Sequence, residues 1–323
     1  RAPAPATWTS CHRLRSRARR RQRLRCLAGH AQWHRETWRV VLTREKQQPP
    51  HQIGRADALG TLDDLDPPRL LRLAVRVLPI GSDRHIVAVH AEVDVDRIEI
   101  ASTRVSSGEL ESAELITKWA RKSRLIQRVE MLGYCDGKKS VDWICGAGGK
   151  VMNLLTKGSE RHCFEQLGLT PEQHRERVSS TVRYARKKRL TVNVYLEDWS
   201  SGVRDSFDYV FAMVQELREL RVARIYLPDT LGIFSPQDVT RFVGLMTATW
   251  PAVDFEYHSH NDYGLATANC LAAIQAGARG VHTSVNGMGE RAGNTSLAEV
   301  VSAIHDHSEA RTSVVEERLS ALS

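Results

Sequence analysis

The sequence predicts an α/β chain in which repeated strand–helix units close into a (β/α)8 barrel. Strand-like and helix-like patterns alternate through seven strands after residue 92, at intervals of roughly 20–40 residues, which is the rhythm of βα repeats. Polar groups follow many of those strands: Glu197-Asp198, Asp229-Thr230, the stretch 258–262 and the stretch 286–294. A doubly wound open sheet shares the alternation. Convergence of many strand ends on one place favours the barrel. One strand is missing from the count, the first, so the barrel is expected to be incomplete or irregular there.

The units read as follows. Residues 96–102, "DRIEIAS", alternate and form a strand with Glu99 inside it, followed by a helix over about 112–123. The strand "RVEMLGY" (128–134) precedes a short helix around 140–147, and "KVMNLLTKGS" opens with the next strand. A long helix starts after Thr170 with Pro171 in its first turn, and Val178, Val182 and Ala185 share one face. "TVNVYLED" (191–198) is rich in β-branched residues and reads as a strand. Phe207, Val210, Phe211, Val214 and Leu217 then make an amphipathic helical stripe. "RIYLPDT" (224–230) is a strand. Ser235 caps the next helix, Pro236 starts it, and Val239, Phe242, Val243 and Met246 form its buried side. Residues 254–294 complete the series with a strand, a small-residue helix (264–278), a strand (280–285) and a glycine-broken loop, and a last helix lies near 295–305.

Residues 1–91 do not join this pattern. They hold 17 Arg and one Lys against seven acidic residues, seven of the eleven prolines, and no Phe, Tyr, Met or Asn. Such a composition does not easily build a core. The balance of the whole chain is +8, yet the remaining 232 residues carry 28 basic and 31 acidic side chains, so the high pI belongs to this segment alone. A basic arm for a nucleic acid is one reading, but no aromatic residues interleave with "RSRARRRQRLR" to stack on bases. A transit peptide is a second. The favoured reading is a non-native or poorly ordered segment, because Arg, Pro and Ala have GC-rich codons and an out-of-frame reading produces this bias. Within it, "WRVVLT" (38–43) and "HIVAV" (85–89) have the pattern of strands, and "PPRLLRLAVRVL" (67–78) that of a short helix. The expected organisation is therefore an atypical segment 1–91, a barrel over 92–310, and a C-terminal tail 311–323 that stops before any lid or regulatory domain.

With 41% hydrophobic residues, the 323-residue chain can bury a large core. No apolar run reaches the ~18 residues that span a bilayer, so no membrane is expected. The six cysteines are scattered without a Cys-x-x-Cys pair, which fits a reduced, cytoplasmic setting.

Chemistry concentrates in residues 254–294. His258 and His260 alternate in phase, so both imidazoles leave the same face of the strand end, where two such rings can hold one divalent metal. The plainer reading is a pair of hydrogen-bonded polar residues. "HSHNDYGLATAN" followed by "NGMGERAGN" resembles the acyl-CoA/2-keto-acid condensing family of 2-isopropylmalate, homocitrate and citramalate synthases, over roughly residues 93–306. These are metal-dependent (β/α)8 barrels, with hydroxymethylglutaryl-CoA lyase as a more distant relative.

The resemblance implies a Claisen condensation of acetyl-CoA with a 2-keto acid, a divalent ion (Mg, Mn or Zn) as cofactor, and a homodimer. It assigns His258, His260 and Asn294 to the metal, Glu197 to acid/base work, and Thr230, Glu290 and Arg291 to substrate. Plainer roles stand beside these: a helix N-cap for Asn294, a capping hydroxyl for Thr230, a salt bridge at the barrel mouth for Glu197, and a solvated loop for Glu290 and Arg291. Asn153 stands where relatives often have His. Glu99 is placed in the barrel mouth, and His282, His305 and His307 read as surface or packing histidines. The family's first strand carries an Asp-x-Thr-Leu-Arg-Asp-Gly-x-Gln motif that supplies a metal ligand and a keto-acid contact. Residues 1–91 contain none; "VVLTREKQ" (40–47) is the nearest echo. The leading expectation is 2-isopropylmalate synthase, on the leucine pathway. Homocitrate synthase is the runner-up, with Lys157, Arg161 or His162 as the extra cation that 2-oxoglutarate would need. Citramalate synthase is a further member. A retro-aldol lyase is disfavoured because "NGMGERAGN" lacks the cysteine of the lyases. The alternative of another class is an inactive barrel fragment lacking the first-strand metal ligand.

Overall fold

In the computed structural model the first strand, β1 (Arg72–Arg76), lies parallel to β8 (Gly280–Thr283) on one side and to β2 (Arg97–Ser102) on the other, and so closes the sheet. The structure describes residues 71–76, 92–103 and 105–322, which fall in one compact unit, Asp66–Ser323. The ring runs β1 to β8 in sequence order, through β3 (Val129–Tyr134), β4 (Val151–Lys157), β5 (Thr191–Glu197), β6 (Arg224–Asp229) and β7 (Phe255–Ser259), all parallel.

The (β/α)8 barrel is thus the one expected, but the ring is not left open at its first strand. "PPRLLRLAVRVL" (67–78), read as a short helix beginning at its prolines, instead supplies the closing strand through Arg72–Arg76. Once β2 and β8 stand two strand widths apart, their unpaired N–H and C=O groups are satisfied by a strand between them, and that gain overrides a weak helix propensity. The other patterns assigned within residues 1–91, "WRVVLT", "VVLTREKQ" and "HIVAV", lie outside the described residues.

Among the described residues the helices are α1 (Ser107–Lys122), α2 (Lys139–Gly146), α3 (Glu160–Leu167), α4 (Pro171–Lys187), α5 (Trp199–Asp205), α6 (Phe207–Glu219), α7 (Pro236–Thr249), α8 (Ala266–Gln275) and α9 (Leu297–His307). Two start where the sequence says they should. Thr170 with Gln173, and Ser235 with Asp238, form reciprocal capping boxes, each followed by a proline whose missing N–H costs nothing at that position. The short helices α3 and α5 were not anticipated. Each spans about two turns, too few for a periodic apolar pattern.

Strand side chains divide cleanly. Outward residues such as Met152, Leu154, Val194, Ile225, Phe255 and Val281 pack under the helices in the main core. Inward residues fill the lumen in layers. The lowest layer is ionic: Arg97, Arg224 and Arg72 face Glu130 and Glu256, with Asp254 on Arg72. Burial opposes ionisation of Glu256, yet the Arg97 charge and the hydrogen bond from His282 hold its pKa down at about 2. For Glu130 burial prevails, and its pKa is raised. Above this floor Asn153 donates to Glu99 at 2.6 Å and to Glu130 at 2.9 Å. Glu99 is therefore a buried lumen residue and not part of the mouth. Next comes a small apolar cluster, separate from the main core, of Leu132, Tyr195 and Tyr226 with Leu155 against it.

Candidate functional site

The C-terminal ends of the strands carry the polar groups. On β7 the alternation sends Phe255 and Tyr257 outward, and Glu256 and His258 inward. His260 follows the strand and forms an antiparallel bridge with Asn294. The two imidazoles converge: Nε2 of His258 lies 3.4 Å from Nε2 of His260, with the ring planes at 83°. Two nitrogens bound to one tetrahedral ion at about 2.0–2.1 Å lie roughly 3.3 Å apart, so the observed separation is a chelating one.

Asn294 is held beside them by the loop after β8. Its N–H donates to Gly287 O at 2.8 Å, Asn261 N–H donates to Gly293 O at 2.9 Å, and Thr295 N–H donates to Ser259 O at 3.2 Å. Gly293 has φ +94° and no room for a Cβ, which would stand 2.2 Å from Gly287 O. The carboxamide of Asn294 donates from Nδ2 to Met288 O at 3.0 Å, and among the described residues its buried Oδ1 has no hydrogen-bond partner. Asn294 does not cap α9; Ser296 occupies that position.

These three donors fit a divalent ion: two imidazole nitrogens at chelating distance, and a buried carboxamide oxygen that no other described residue satisfies. Among the described residues no group of three or more His, Cys, Asp or Glu side chains can hold a metal, and β1, "RLAVR", contains no carboxylate. An imidazole-rich set of this kind suits Zn better than Mg, which prefers oxygen.

Thr230, just after β6, does not cap α7. Its hydroxyl accepts the Asp198 N–H at 2.8 Å, and its carbonyl accepts Arg291 Nη2 at 2.7 Å. Arg291 also forks onto Asp262, 2.8 Å to each carboxylate oxygen, and these hydrogen bonds hold Asp262 below its usual carboxylate range. The ends of β6, β7 and β8 are thereby tied together. Glu290 stands apart: its side chain is 79% exposed and lies 3.6 Å from Arg291. Glu197 ends β5 and forms an ion pair with Lys157 of β4, 2.5 Å between Nζ and Oε2.

Three lumen residues carry more than the sequence suggested. Of the two roles expected for His282, surface or packing, the structure gives the buried one: its Nε2 is 3.1 Å from Glu256 and its Nδ1 3.0 Å from the Tyr195 hydroxyl, so it links the ionic floor to the site. The Tyr195 and His258 rings are nearly perpendicular, at 85°, with 6.1 Å between centroids. Lys157 was legible only as a spare cation. The alternation of "GVHT" on β8 could have placed His282 inward, and the in-phase spacing along "NVYLE" could have placed Tyr195 with Glu197. His305 does lie at the surface, beside Asp306.

A family model described as HMGL-like matches residues 75–323. Among curated relatives, a putative (R)-citramalate synthase of Methanopyrus kandleri is 32% identical over 80% of this chain and 52% of its own length. A probable 2-isopropylmalate synthase of Ignicoccus hospitalis is 33% identical over 69% of this chain and 54% of its own. A homocitrate synthase of Sulfurisphaera tokodaii is 30% identical over 72% and 49%. The chain spans about half the length of the curated relatives it matches. Of solved structures, hydroxymethylglutaryl-CoA lyase from Pseudomonas aeruginosa superposes with a TM-score of 0.64 at 19% identity, covering 79% of this chain and 91% of the lyase. At that identity the likeness is one of fold.

Proposed function

The chain belongs to the HMGL-like family, and on that premise we propose that it condenses acetyl-CoA with a 2-keto acid and hydrolyses the thioester, releasing a 2-hydroxy dicarboxylic acid. The first reading is 2-isopropylmalate synthase, acting on 2-oxoisovalerate for leucine. Citramalate and homocitrate synthases are the alternatives, as the relatives' names suggest. The observation that carries the reading is the convergence of the His258 and His260 imidazoles, with His260 bridged through its backbone to Asn294, whose buried carboxamide oxygen has no hydrogen-bond partner among the described residues.

His258, His260 and Asn294 would hold the divalent ion, which supplies Lewis-acid polarisation of the keto group. Glu197, inward on β5, is the carboxylate to take a proton from the acetyl methyl group. The oxygen of Thr230 already accepts the Asp198 N–H, which leaves its hydroxyl proton to donate to the keto acid's carboxylate. Arg291 is spent on Asp262 and the Thr230 carbonyl, so it positions the loop that carries Asn294. Glu290, exposed on that loop, has the most distant role of the set, a contact at the rim. Among the described residues no helix is long and apolar enough to cross a membrane. A homodimer in the cytoplasm is the setting proposed.

A second reading is favoured by one fact: β1 brings no carboxylate to the ring. On it the barrel binds ligands without turnover. The deciding assay incubates the chain with acetyl-CoA, Mg, Mn or Zn, and each keto acid in turn, and measures free thiol. Release with 2-oxoisovalerate supports the first reading. Release with 2-oxoglutarate alone replaces it, and no release with any keto acid supports the inert barrel.

A further inference from the structure

We propose that His174 is a positioning residue for this site: acting through Tyr209, it holds the peptide that ends β4 and so keeps the Lys157 ammonium on Glu197. The inference rests on the preceding reading, in which Glu197 takes the proton, and adds to it a control from the helix layer outside the barrel.

The link that needs holding is the peptide between Lys157 and Gly158. Lys157 is the last residue of β4 and stands opposite Glu197 of β5. The close packing around position 158 requires glycine: a Cβ there would lie 2.3 Å from Leu196 O, and one on Gly202 of α5 would lie 1.9 Å from Gly158 O. Glycine is also the residue least able to fix its own backbone. Hydrogen bonds at the two ends of the planar unit do so instead. The Gly158 N–H donates to Glu197 O at 2.6 Å, and on the opposite side the Tyr209 hydroxyl donates to Lys157 O at 3.0 Å.

Tyr209 comes from α6. His174 comes from the first turn of α4, where it heads the buried stripe of Val178, Val182 and Ala185. A histidine in such a stripe is ordinarily there for packing. Its hydrogen bonding here is more specific. Nδ1 lies 2.7 Å from the Tyr209 oxygen, and the two ring planes are within 3° of parallel. A phenol has one proton, and a carbonyl can only accept. The Tyr209 proton is therefore committed to Lys157 O, and His174 donates from Nδ1. Nε2 is then the bare nitrogen, buried and without a hydrogen-bond partner among the described residues. Cys163 also borders the Tyr209 hydroxyl, but its thiol is turned to Leu169 O at 3.4 Å. Burial, with the charges of Lys157, Arg177 and Arg175 nearby, pushes the His174 pKa down to about 4, so the ring is neutral at pH 7.

The consequence lies at the other end of the chain of bonds. Lys157 Nζ engages Oε2 of Glu197, which leaves Oε1 to take the acetyl proton. Without the donor from His174 the Tyr209 hydroxyl is free to turn from Lys157 O. The peptide then swings about its glycine, and the ammonium leaves the carboxylate it orients.

The test reads Lys157 directly. The full chain and its Tyr209→Phe, His174→Leu and His174→Asn variants are methylated with formaldehyde and a borohydride, and Lys157 is followed by peptide mass spectrometry. Asn is the conservative replacement, because its amide N–H stands near the place of Nδ1. Lys157 is expected to react at least about fivefold faster in Tyr209→Phe and His174→Leu, the scale of one lost hydrogen bond, and at the wild-type rate in His174→Asn. In thiol release the first two variants should lose about tenfold in kcat per Zn-binding chain, with KM for each substrate within about twofold, because no substrate contact is removed. Nitrogen NMR of the His174 ring should show a protonated Nδ1 and a bare Nε2. Unchanged Lys157 reactivity in His174→Leu overturns the proposal, as does a proton on Nε2 or a loss that His174→Asn fails to restore. The two readings fail separately. No thiol release from the wild type, together with the expected methylation contrast, sinks the synthase and leaves the hold of His174 on Lys157 standing, whereas normal release without that contrast does the reverse.

Discussion

Arg97 and Glu256 meet in the floor of the barrel, both buried, with the guanidinium directly on the carboxylate. Around them Arg224 and His282 also face Glu256, at 3.3 and 3.1 Å. Replacing Glu256 with Gln removes one of the two buried carboxylates that face Arg97 and leaves Glu130 as the other. Breaking a buried pair from one side costs about 3–5 kcal/mol. A loss of unfolding free energy of that size, read as a lower urea midpoint at unchanged slope, is expected.

The same carboxylate sets an acid limit. Its folded pKa lies at about 2, below the ordinary 4.5, so its stabilisation is fully present above pH 4.5 and is lost as pH falls towards 2. Glu130, with a raised pKa, acts in the opposite sense, its contribution falling as pH rises through its folded value. Thermal midpoints measured from pH 5 to pH 2 should drop steeply in the wild type and more shallowly in Glu256→Gln. Parallel curves would show that Glu256 is not the group titrating.

His258→Ala and His260→Ala each remove one of two converging imidazoles. Each is expected to weaken Zn binding by at least about tenfold, while Asn294→Ala weakens it less because one neutral oxygen is lost. Calorimetric titration of the purified chain reads this directly. A His258→Ala variant with wild-type affinity would place the ion elsewhere.

Gly289→Ala should act through Asn294 without touching either histidine. The added methyl would stand 2.5 Å from Nδ2 and 2.6 Å from Cγ of the carboxamide, so that group must move. Overpacking of this kind costs about 1–3 kcal/mol. A lowered melting temperature together with weaker Zn binding is the expected outcome, and normal binding would show that Asn294 contributes no oxygen.

Thr230→Val deletes the acceptor of the Asp198 N–H, whose residue is wholly buried and holds a left-handed backbone, φ 63°. An unpaired buried donor costs about 1–3 kcal/mol, whereas Thr230→Ser keeps the oxygen and should be close to neutral. Equal stability of the two variants would show that the hydroxyl carries no structural load, leaving a substrate contact as its role.

Much of this was local enough to be read from the chain. His258 and His260 follow from strand alternation, the starts of α4 and α7 from their cap-and-proline pairs, and the loop 286–294 from its glycines. Each of those signals depends on neighbours a few residues away. The ion pair of Glu197 was foreseen as the plainer of two roles, but its partner on the adjacent strand was not.

What the amino-acid order determined by itself is therefore the alternating βα architecture and the identity of the groups gathered at the strand ends, because period and capping are properties of short segments. Tertiary structure decided the rest. It turned "RLAVR" into the strand that closes the ring, since only the unsatisfied edges of β2 and β8 select that conformation. It buried His282 between Glu256 and Tyr195, and it set Lys157 on Glu197. Such pairings come from register between strands tens of residues apart, which no single segment encodes.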